Sequence, residues 1–162
     1  MVDQHSVREA VQGDIDSVVE LWAEHVDFHA RYDPRFLRKG GSEEGFAGHL
    51  RGHLGEADFL LLVGEIDGEV AGFLHGELLD FPPCFAHRTH GVIHDLAVSS
   101  RWRRVGLGTA LLEKGMAWFS GKGVPTVEGR VLLSNPVAVG FWRKVGFEPY
   151  MHTIRASTKF FG

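Results

Sequence analysis

The sequence predicts a single α/β domain built on a sheet of mixed topology, and three observations lead to this class. Strand-like and helix-like apolar patterns alternate along the 162 residues, an order that is typical of α/β chains. A chain of this length buries about two thirds of the surface of its unfolded form, so its core needs no covalent staples. The one cysteine, Cys84, excludes a disulfide framework and a cysteine-based zinc site. We therefore predict one domain over residues 1–162.

The first half of the chain is predicted to contain a strand, two helices and a β-hairpin. Apolar side chains recur at helical spacing after Asp14, which is a favourable residue for a helix N-cap. The dipeptide Asp67–Gly68 between two apolar segments is typical of a tight hairpin turn. The elements are a strand over residues 7–11, a helix that opens at residues 13–14, a weaker helix over residues 42–54, and hairpin strands over residues 59–63 and 70–79.

The second half alternates strands and helices around a glycine-rich turn. An irregular loop that contains the pair Pro82–Pro83 separates it from the hairpin. Helical periodicity then extends from Gly106 to Gly121, and Gly146 ends a shorter helix. The elements are strands over residues 91–98, 124–133 and 147–156, and helices over residues 106–121 and 136–145.

The charge balance excludes several classes of partner. Seventeen Lys and Arg stand against 21 Asp and Glu, a formal charge of -4. Binding to nucleic acid depends mainly on phosphate neutralisation, so we expect no nucleic-acid partner. No segment approaches the roughly 20 apolar residues of a membrane span, and the first residues lack the basic-then-apolar order of a signal peptide. We expect no membrane partner and a cytoplasmic location.

The segment with the clearest chemistry is the basic, glycine-rich turn before the helix at Gly106. Unpaired N–H groups at a helix start, together with the helix dipole, form an anion site, and Gly106 and Gly108 allow close approach of the backbone. A P-loop is excluded because Gly108 is followed by Thr109, and a dinucleotide fingerprint is excluded because Leu111 stands where Gly or Ala is required. The turn therefore predicts a binding site for a phosphate or pyrophosphate.

The pattern Arg-x-x-Gly-x-Gly at residues 103–108 resembles the acyl-CoA pyrophosphate motif of the GCN5-related N-acetyltransferase (GNAT) superfamily. Asn135, the aromatic pair Phe141–Trp142 and the pair Gly146–Phe147 follow in the order and spacing of that family. The resemblance covers nearly the entire chain. It implies a mixed, mostly antiparallel central sheet whose fourth and fifth strands splay apart, with helices on both sides.

The resemblance also implies acetyl-CoA as co-substrate and a set of residues that contact it. For each of these residues a structural alternative stays open, since the glycines also permit tight helix–strand packing and the arginines also form solvated surfaces. The residues implied are the main chain of Leu96, Ala97 and Val98 for the pantetheine arm, the turn of Arg103, Arg104, Val105, Gly106, Leu107, Gly108 and Thr109 for the pyrophosphate, and Asn135 and Phe141 further along the chain.

The reaction implied by the resemblance requires a base, because an amine with a pKa near ~10.4 is almost fully protonated at neutral pH. His94 matches a base position of polyamine and arylalkylamine relatives, and Asp95 matches a position that holds an amine-binding carboxylate. The amide of Val98 is the expected oxyanion donor. Strand alternation predicts His94 on the same face as Leu96 and Asp95 on the opposite face. The alternatives are a hydrogen-bonded strand histidine and a structural acid.

The chain departs from the family pattern at Trp142, where relatives often carry a tyrosine that protonates the departing thiolate. An indole N–H is no proton source at neutral pH. Tyr150, on the predicted last strand, is the substitute acid that we predict. The alternatives are a half-buried strand tyrosine without a catalytic role, a water molecule as the acid, departure of the unprotonated thiolate, or a slow reaction.

Other polar residues give weaker signals. His87, His90 and His94 include both loop and strand positions without a cysteine or carboxylate at metal-ligand spacing, so no metal is predicted. Glu77 and Glu128 could face the substrate cleft or lie at solvated strand positions.

The resemblance thus implies an N-acetyltransferase that moves an acetyl group from acetyl-CoA to a primary amine, preferably of a small molecule, by direct attack in a ternary complex. The alternative is a non-catalytic acyl-CoA-binding or sensor protein of the same fold. We expect a homodimer.

Overall fold

A computed structural model describes residues 5–86 and 88–160 of the chain. The chain divides into two compact units, Met1–Arg130 and Val131–Gly162. The first unit holds all five strands and three of the four α-helices of the described residues. In chain order the elements are β1 (His5–Glu9), α1 (Ile15–Ala30), α2 (Ser42–His53), β2 (Phe59–Ile66), β3 (Glu69–Asp80), β4 (Thr89–Val98), α3 (Leu107–Gly121), β5 (Val127–Gly129) and, in the second unit, α4 (Pro136–Lys144).

The five strands form one sheet in chain order, β1-β2-β3-β4-β5. The first three pairings are antiparallel, and β4 and β5 are parallel. Only residues 91–93 of β4 pair with residues 127–129 of β5, and β4 continues to Val98 after β5 has ended. This topology confirms the mixed, mostly antiparallel sheet with separated fourth and fifth strands.

The turn between β2 and β3 is the tight hairpin that the dipeptide predicted. Asp67 has φ 53° and Gly68 has φ 80°, so both central residues adopt the left-handed conformation of a type I′ turn. Gly accepts this conformation without strain, and Asp is among the residues that tolerate it. The turn sets the register beside it, with Ile66 opposite Glu69. A bulge between Gly64 and Glu65 then shifts the register by one residue, so Phe59 lies opposite Glu77 at the far end of the hairpin.

The two faces of the sheet pack against different helices. The face toward α1 and α2 carries large side chains of every second residue of β2 and β3, and Leu50 of α2 is completely buried against it. The cluster on this face consists of Ala10, Ile15, Val18, Val19, Leu21, Ala47, Leu50, Phe59, Leu61, Val63, Phe73 and Ala97.

The opposite face contacts α3 and is built on glycines. A Cβ on Gly64 would lie 2.5 Å from Cδ1 of Leu107, and a Cβ on Gly91 would lie 2.6 Å from the ring of Phe119. Gly72 faces the same helix, where a Cβ would lie 2.8 Å from the carbonyl oxygen of Ala97. Side chains at these positions would push α3 away, so the glycines set the distance between helix and sheet.

Arg8 of β1 connects three segments of the first unit. Its guanidinium donates to Asp14 (2.7 Å) and to Glu65 of β2 (2.6 Å), and the Asp14 carboxylate also accepts the N–H of Val11. The hydrogen bond from Arg8 lowers the pKa of Asp14. The prediction that α1 opens next to Asp14 is confirmed, but the carboxylate serves Arg8 and Val11 instead of the α1 amides.

Two predicted strands differ in the structure. The strand predicted over residues 124–133 is limited to β5, and Pro125 at its beginning has no N–H to pair. The strand predicted over residues 147–156 is wrong, since this segment has no regular structure. Pro149 interrupts it, and its residues from Glu148 onward are all exposed, so it lacks the buried alternate positions that stabilise a strand.

None of the helices in the described residues is both long and apolar enough to cross a membrane.

Replacing Gly64 with Ala should destabilise the fold, because the new methyl group collides with three atoms of the buried Leu107 side chain. We expect a loss of about 1–3 kcal/mol in the free energy of unfolding, measured by urea titration. Gly45→Ala in α2 is the matched control, since nothing lies within 4 Å of its Cβ. It should be neutral or stabilising by up to about 1 kcal/mol. Equal stability of the two variants would contradict close packing of α3 on Gly64.

Candidate functional site

The start of α3 is an exposed, positively polarised helix end. Gly106 precedes the helix in the left-handed conformation (φ 88°), no side chain caps the first amides, and the first turn contains no acidic residue. By contrast, the first turns of α1 and α2 contain acidic side chains and α4 is capped by Asn135. The first N–H groups of a helix have no partner within it, so this end of α3 is suited to an anion. The residues of this turn are Val105, Gly106, Leu107, Gly108 and Thr109.

The two arginines before this turn, Arg103 and Arg104, differ in their surroundings. The Arg103 guanidinium lies 3.9 Å from Glu24 and above the ring of Phe28, so α1 contacts it. Arg104 has φ 68° and an exposed side chain, and it forms no ion pair with any residue in the described ranges. Of the two arginines predicted to assist a phosphate, Arg104 is therefore the one without a competing carboxylate.

The end of β4 has main-chain groups that no strand in the described part of the chain pairs with. The Ser99 amide donates to the Ala71 carbonyl (2.8 Å). Ser99 and Ala71 are therefore a hydrogen-bonded pair that continues the antiparallel ladder between β4 and β3. Bonding alternates along such a ladder, so the groups of Ala97 point toward β3 and those of Leu96 and Val98 point away from it. Of the three predicted main-chain contacts, Leu96 and Val98 thus have groups on the splayed side.

A β-bulge at His94 changes the faces of β4. His75 pairs with Asp95 and Gly76 pairs with Ile93, so His94 is an extra residue without a partner on β3. The prediction that His94 and Asp95 lie on opposite faces is wrong, because the bulge shifts the alternation by one residue. Both side chains contact His75, on the face toward α1 and α2.

Two histidine–carboxylate pairs lie side by side at this bulge. Nε2 of His94 donates to Oε1 of Glu77 (2.6 Å), and Nδ1 of His75 donates to Oδ2 of Asp95 (3.2 Å). The two imidazole centroids are 5.0 Å apart. A carboxylate only accepts hydrogen bonds, so each nitrogen named here carries a proton. The neutral His94 ring therefore has its lone pair on Nδ1, which makes Nδ1 its basic atom.

Further rings from α2 and β2 surround these pairs. Phe46 and His49 of α2 and Phe59 of β2 lie within 6.1 Å of the His75 ring, measured between centroids. Burial, followed by the nearby His29, lowers the pKa of His25 to about 4. Burial and the neighbouring His75 also lower the pKa of His49. His25 is therefore neutral near pH 7, and the negative charge of this region comes from its carboxylates.

Sequence reasoning left Glu77 open and did not consider His75. The structure shows Glu77 against His94, and Glu128 lies on the same face because both pair with Val92. His75 could have been found by extending the hairpin register, since Phe73, His75 and Glu77 alternate with residues of the α3 face. No local motif marks it, however, and its partner Asp95 is 20 residues away.

The second unit contains the remaining predicted residues. The buried Asn135 side chain accepts the Ala138 amide (3.2 Å) and thereby caps α4. Phe141 contacts Trp142 edge to face at 5.4 Å. Tyr150 is 76% exposed on the irregular segment that follows α4.

Within residues 5–86 and 88–160, no three His, Cys, Asp or Glu side chains are arranged to hold a metal ion. The His90 ring stacks on Phe81 at 4.0 Å. His87 lies outside the described residues.

Comparison with known proteins gives matches over most of the chain. Residues 20–147 match the model of the acetyltransferase (GNAT) family. An N-alpha-acetyltransferase of Sulfurisphaera tokodaii is 33% identical over 103 residues, which are 59% of this chain and 60% of that protein. The chain thus spans about three fifths of the length of this curated relative.

Solved structures share the fold at low identity. A tetramutant of the BH1408 protein of Bacillus halodurans superimposes with a TM-score of 0.81 and 21% identity, covering 94% of this chain and 99% of that one. An aminoglycoside N-acetyltransferase, AAC(6')-Iy, in complex with CoA superimposes with a TM-score of 0.72 and 15% identity, covering 96% and 95%.

The lowered pKa of His25 predicts that stability falls as the pH drops from about 6.5 to about 4. In this interval the unfolded chain, whose histidine has a pKa near ~6.5, binds a proton that the folded chain does not. We expect His25 to contribute roughly 1–3 kcal/mol to the loss, measured by urea unfolding at several pH values. The Asp14 carboxylate, with its lowered pKa, acts only at lower pH, below about 4.

His25→Phe keeps a ring at this position and should flatten the pH dependence. His152→Gln, at an exposed position, is the control and should retain the dependence of the unsubstituted protein. An unchanged slope in His25→Phe would show that His25 titrates alike in the folded and unfolded chains.

Proposed function

The chain belongs to the acetyltransferase (GNAT) family, and we propose that it transfers an acetyl group from acetyl-CoA to a primary amine of a small molecule by direct attack. The observation that carries this proposal is the pair of His94 and Glu77 at the β4 bulge. The same strand ends four residues later at Val98, whose N–H points to the splayed side. Acyl transfer to an amine calls for a base and an oxyanion donor, and the uncapped helix start that follows suits an anionic co-substrate.

The start of α3 is the proposed site for the pyrophosphate of CoA. It fits a polyanion, because its amides are uncapped, its first turn lacks acidic residues and Arg104 is adjacent. The main-chain groups of Leu96 and Val98 are proposed to pair with the amide-containing pantetheine arm. Acetyl-CoA, when bound, supplies the thioester carbonyl that the amine attacks.

His94 is the proposed base. An amine with a pKa near ~10.4 is neutral in only about one molecule in a few thousand at pH 7. Nδ1 of His94 would accept its proton, directly or through water, while Glu77 holds the opposite nitrogen and stabilises the imidazolium that forms. The Val98 amide would donate to the oxyanion of the tetrahedral intermediate.

The departing thiolate of CoA can take a proton from a general acid. Tyr150 stays a proposal, now on an exposed irregular segment instead of a strand. A thiol with a pKa of ~8–9 can also depart as the thiolate. The acceptor is proposed to be a small cationic amine, since Glu77 and Asp95 give this face negative charge. The homodimer and the cytoplasmic location stay predictions from the sequence.

Replacing Gly106 with Val should weaken the binding of acetyl-CoA by tenfold or more, because the side chain strains the left-handed backbone and obstructs the first amides of α3. Titration calorimetry measures the dissociation constant. Gly123→Val is the control: Gly123 also has positive φ (76°) but follows the other end of α3, so the variant should lose stability and keep its affinity. Tight binding of acetyl-CoA by Gly106→Val would contradict a pyrophosphate site at the start of α3.

His94→Gln should lower turnover by about 10²–10⁴-fold and leave the affinity for acetyl-CoA unchanged, because glutamine can still donate to Glu77 but cannot act as a base. Release of CoA thiol with a panel of primary amines measures turnover. His53→Gln is the matched control, since His53 is likewise paired with a glutamate, Glu56, at 2.8 Å. Binding of acetyl-CoA without release by any amine would support the sensor alternative.

A further inference from the structure

We propose that His75 is the positioning residue of the acceptor side of the site. Through Nδ1 it fixes the carboxylate of Asp95, and through packing of its ring it fixes the imidazole of His94. Both would then be aligned on the same acceptor amine. The inference rests on the proposed function, because it assigns His75 a role in that reaction.

His75 is held rigidly enough for this role. It is 5% exposed and lies in the middle of β3, which is paired on both sides, with β2 and with β4. Rings of Phe46, His49 and Phe59 pack around it. A side chain in such surroundings has few alternative rotamers, so it can hold the side chains that it contacts in fixed positions.

Asp95 depends on His75 for its orientation. The Asp95 side chain is 16% exposed, and the N–H of His75 occupies its Oδ2. A carboxylate held through one oxygen presents the other in a fixed direction, toward an acceptor ammonium. Without the His75 donor, the largely buried carboxylate would lose this hydrogen bond and with it its fixed orientation.

His94 depends on His75 for a different reason. As the bulge residue it has no partner opposite on β3, so the strand register does not fix its side chain. Glu77 holds the ring at Nε2, and the His75 ring packs against it, with the two centroids 5.0 Å apart and the ring planes tilted by 34°. Together the two contacts define both position and plane, and they leave Nδ1 for the acceptor.

The neighbouring groups favour one tautomer of His75. His25 of α1 and His49 of α2 face this region from the helices, Glu77 from β3, and His94 and Asp95 from β4. Nε2 of His75 is buried without a hydrogen-bond partner among the described residues. The hydrogen-bonded N–H of His75 is therefore the one on Nδ1, because Asp95 accepts it there.

Two substitutions separate the two contacts. In His75→Asn the amide nitrogen takes the place of Nδ1, so the bond to Asp95 is kept and the ring is lost. In His75→Phe the ring is kept and the donor is lost. We expect His75→Asn to lower kcat by about tenfold or more with little change in the KM of the amine, because His94 loses its support. We expect His75→Phe to raise the KM of the amine by about tenfold or more with kcat nearly unchanged, because Asp95 loses its anchor.

The assay uses the primary amine that gives the fastest thiol release with the unsubstituted enzyme, and rates are normalised to folded protein by circular dichroism. The KM of acetyl-CoA should stay constant in both variants. If both variants had the kcat and KM values of the unsubstituted enzyme and only a lower melting temperature, His75 would have a purely structural role. This result would overturn the proposal.

Nitrogen NMR of the imidazoles gives a readout that needs no turnover. In the unsubstituted protein His75 should be protonated at Nδ1, Asp95→Asn should perturb that signal, and His75→Asn should alter the signals of His94. The positioning role would be overturned if the proton of His75 lay on Nε2, or if the His94 signals were the same in His75→Asn as in the unsubstituted protein. Absence of thiol release by the unsubstituted enzyme with every amine, together with these NMR couplings, would instead refute the proposed function and retain the coupling of His75 with Asp95 and His94.

Discussion

The close contact between α3 and the sheet is the constraint on which the other features of the first unit depend. Leu107, the first residue of the helix, lies against Gly64, and Phe119 near its end lies against Gly91. Contact at both ends fixes the helix in direction as well as in distance, because neither end can approach or withdraw alone. The uncapped amides at the start of α3 are thereby held in place by backbone, with no polar side chain committed to orienting them.

The two faces of the sheet have different roles: one packs against α3, and the other carries the histidine–carboxylate pairs. Small residues on one face accept a helix that is suited to an anion, while rings, histidines and carboxylates occupy the face toward α1 and α2. The bulge at His94 connects the two roles, since it gives one strand a different alternation before and after it. It adds His94 and Asp95 to the histidine-rich face, while Ile93 and Leu96 stay on the α3 side. A regular strand could not present two consecutive side chains on one face.

Features with a local cause could be predicted from the sequence, and features that depend on strand pairing could not. The Asp67–Gly68 turn and the glycine before α3 each rest on the conformational freedom of one or two residues. The bulge arises from the pairing of His75 with Asp95, 20 residues apart, so alternation alone placed His94 and Asp95 wrongly. His75 itself has no motif around it. Residues 147–156 contain strand-forming side chains, but without buried alternate positions that composition does not make a strand.

The cap of α4 has a consequence for what Asn135 can recognise. An asparagine side chain offers one accepting oxygen and two donating hydrogens. Here the oxygen already receives the Ala138 amide, so chiefly the hydrogens of the amide group remain for other partners. A ligand atom that meets the amide nitrogen of this side chain would therefore be a hydrogen-bond acceptor, such as the carbonyl oxygen of an amide. By using its oxygen to begin a helix, the residue becomes in effect a donor of fixed orientation.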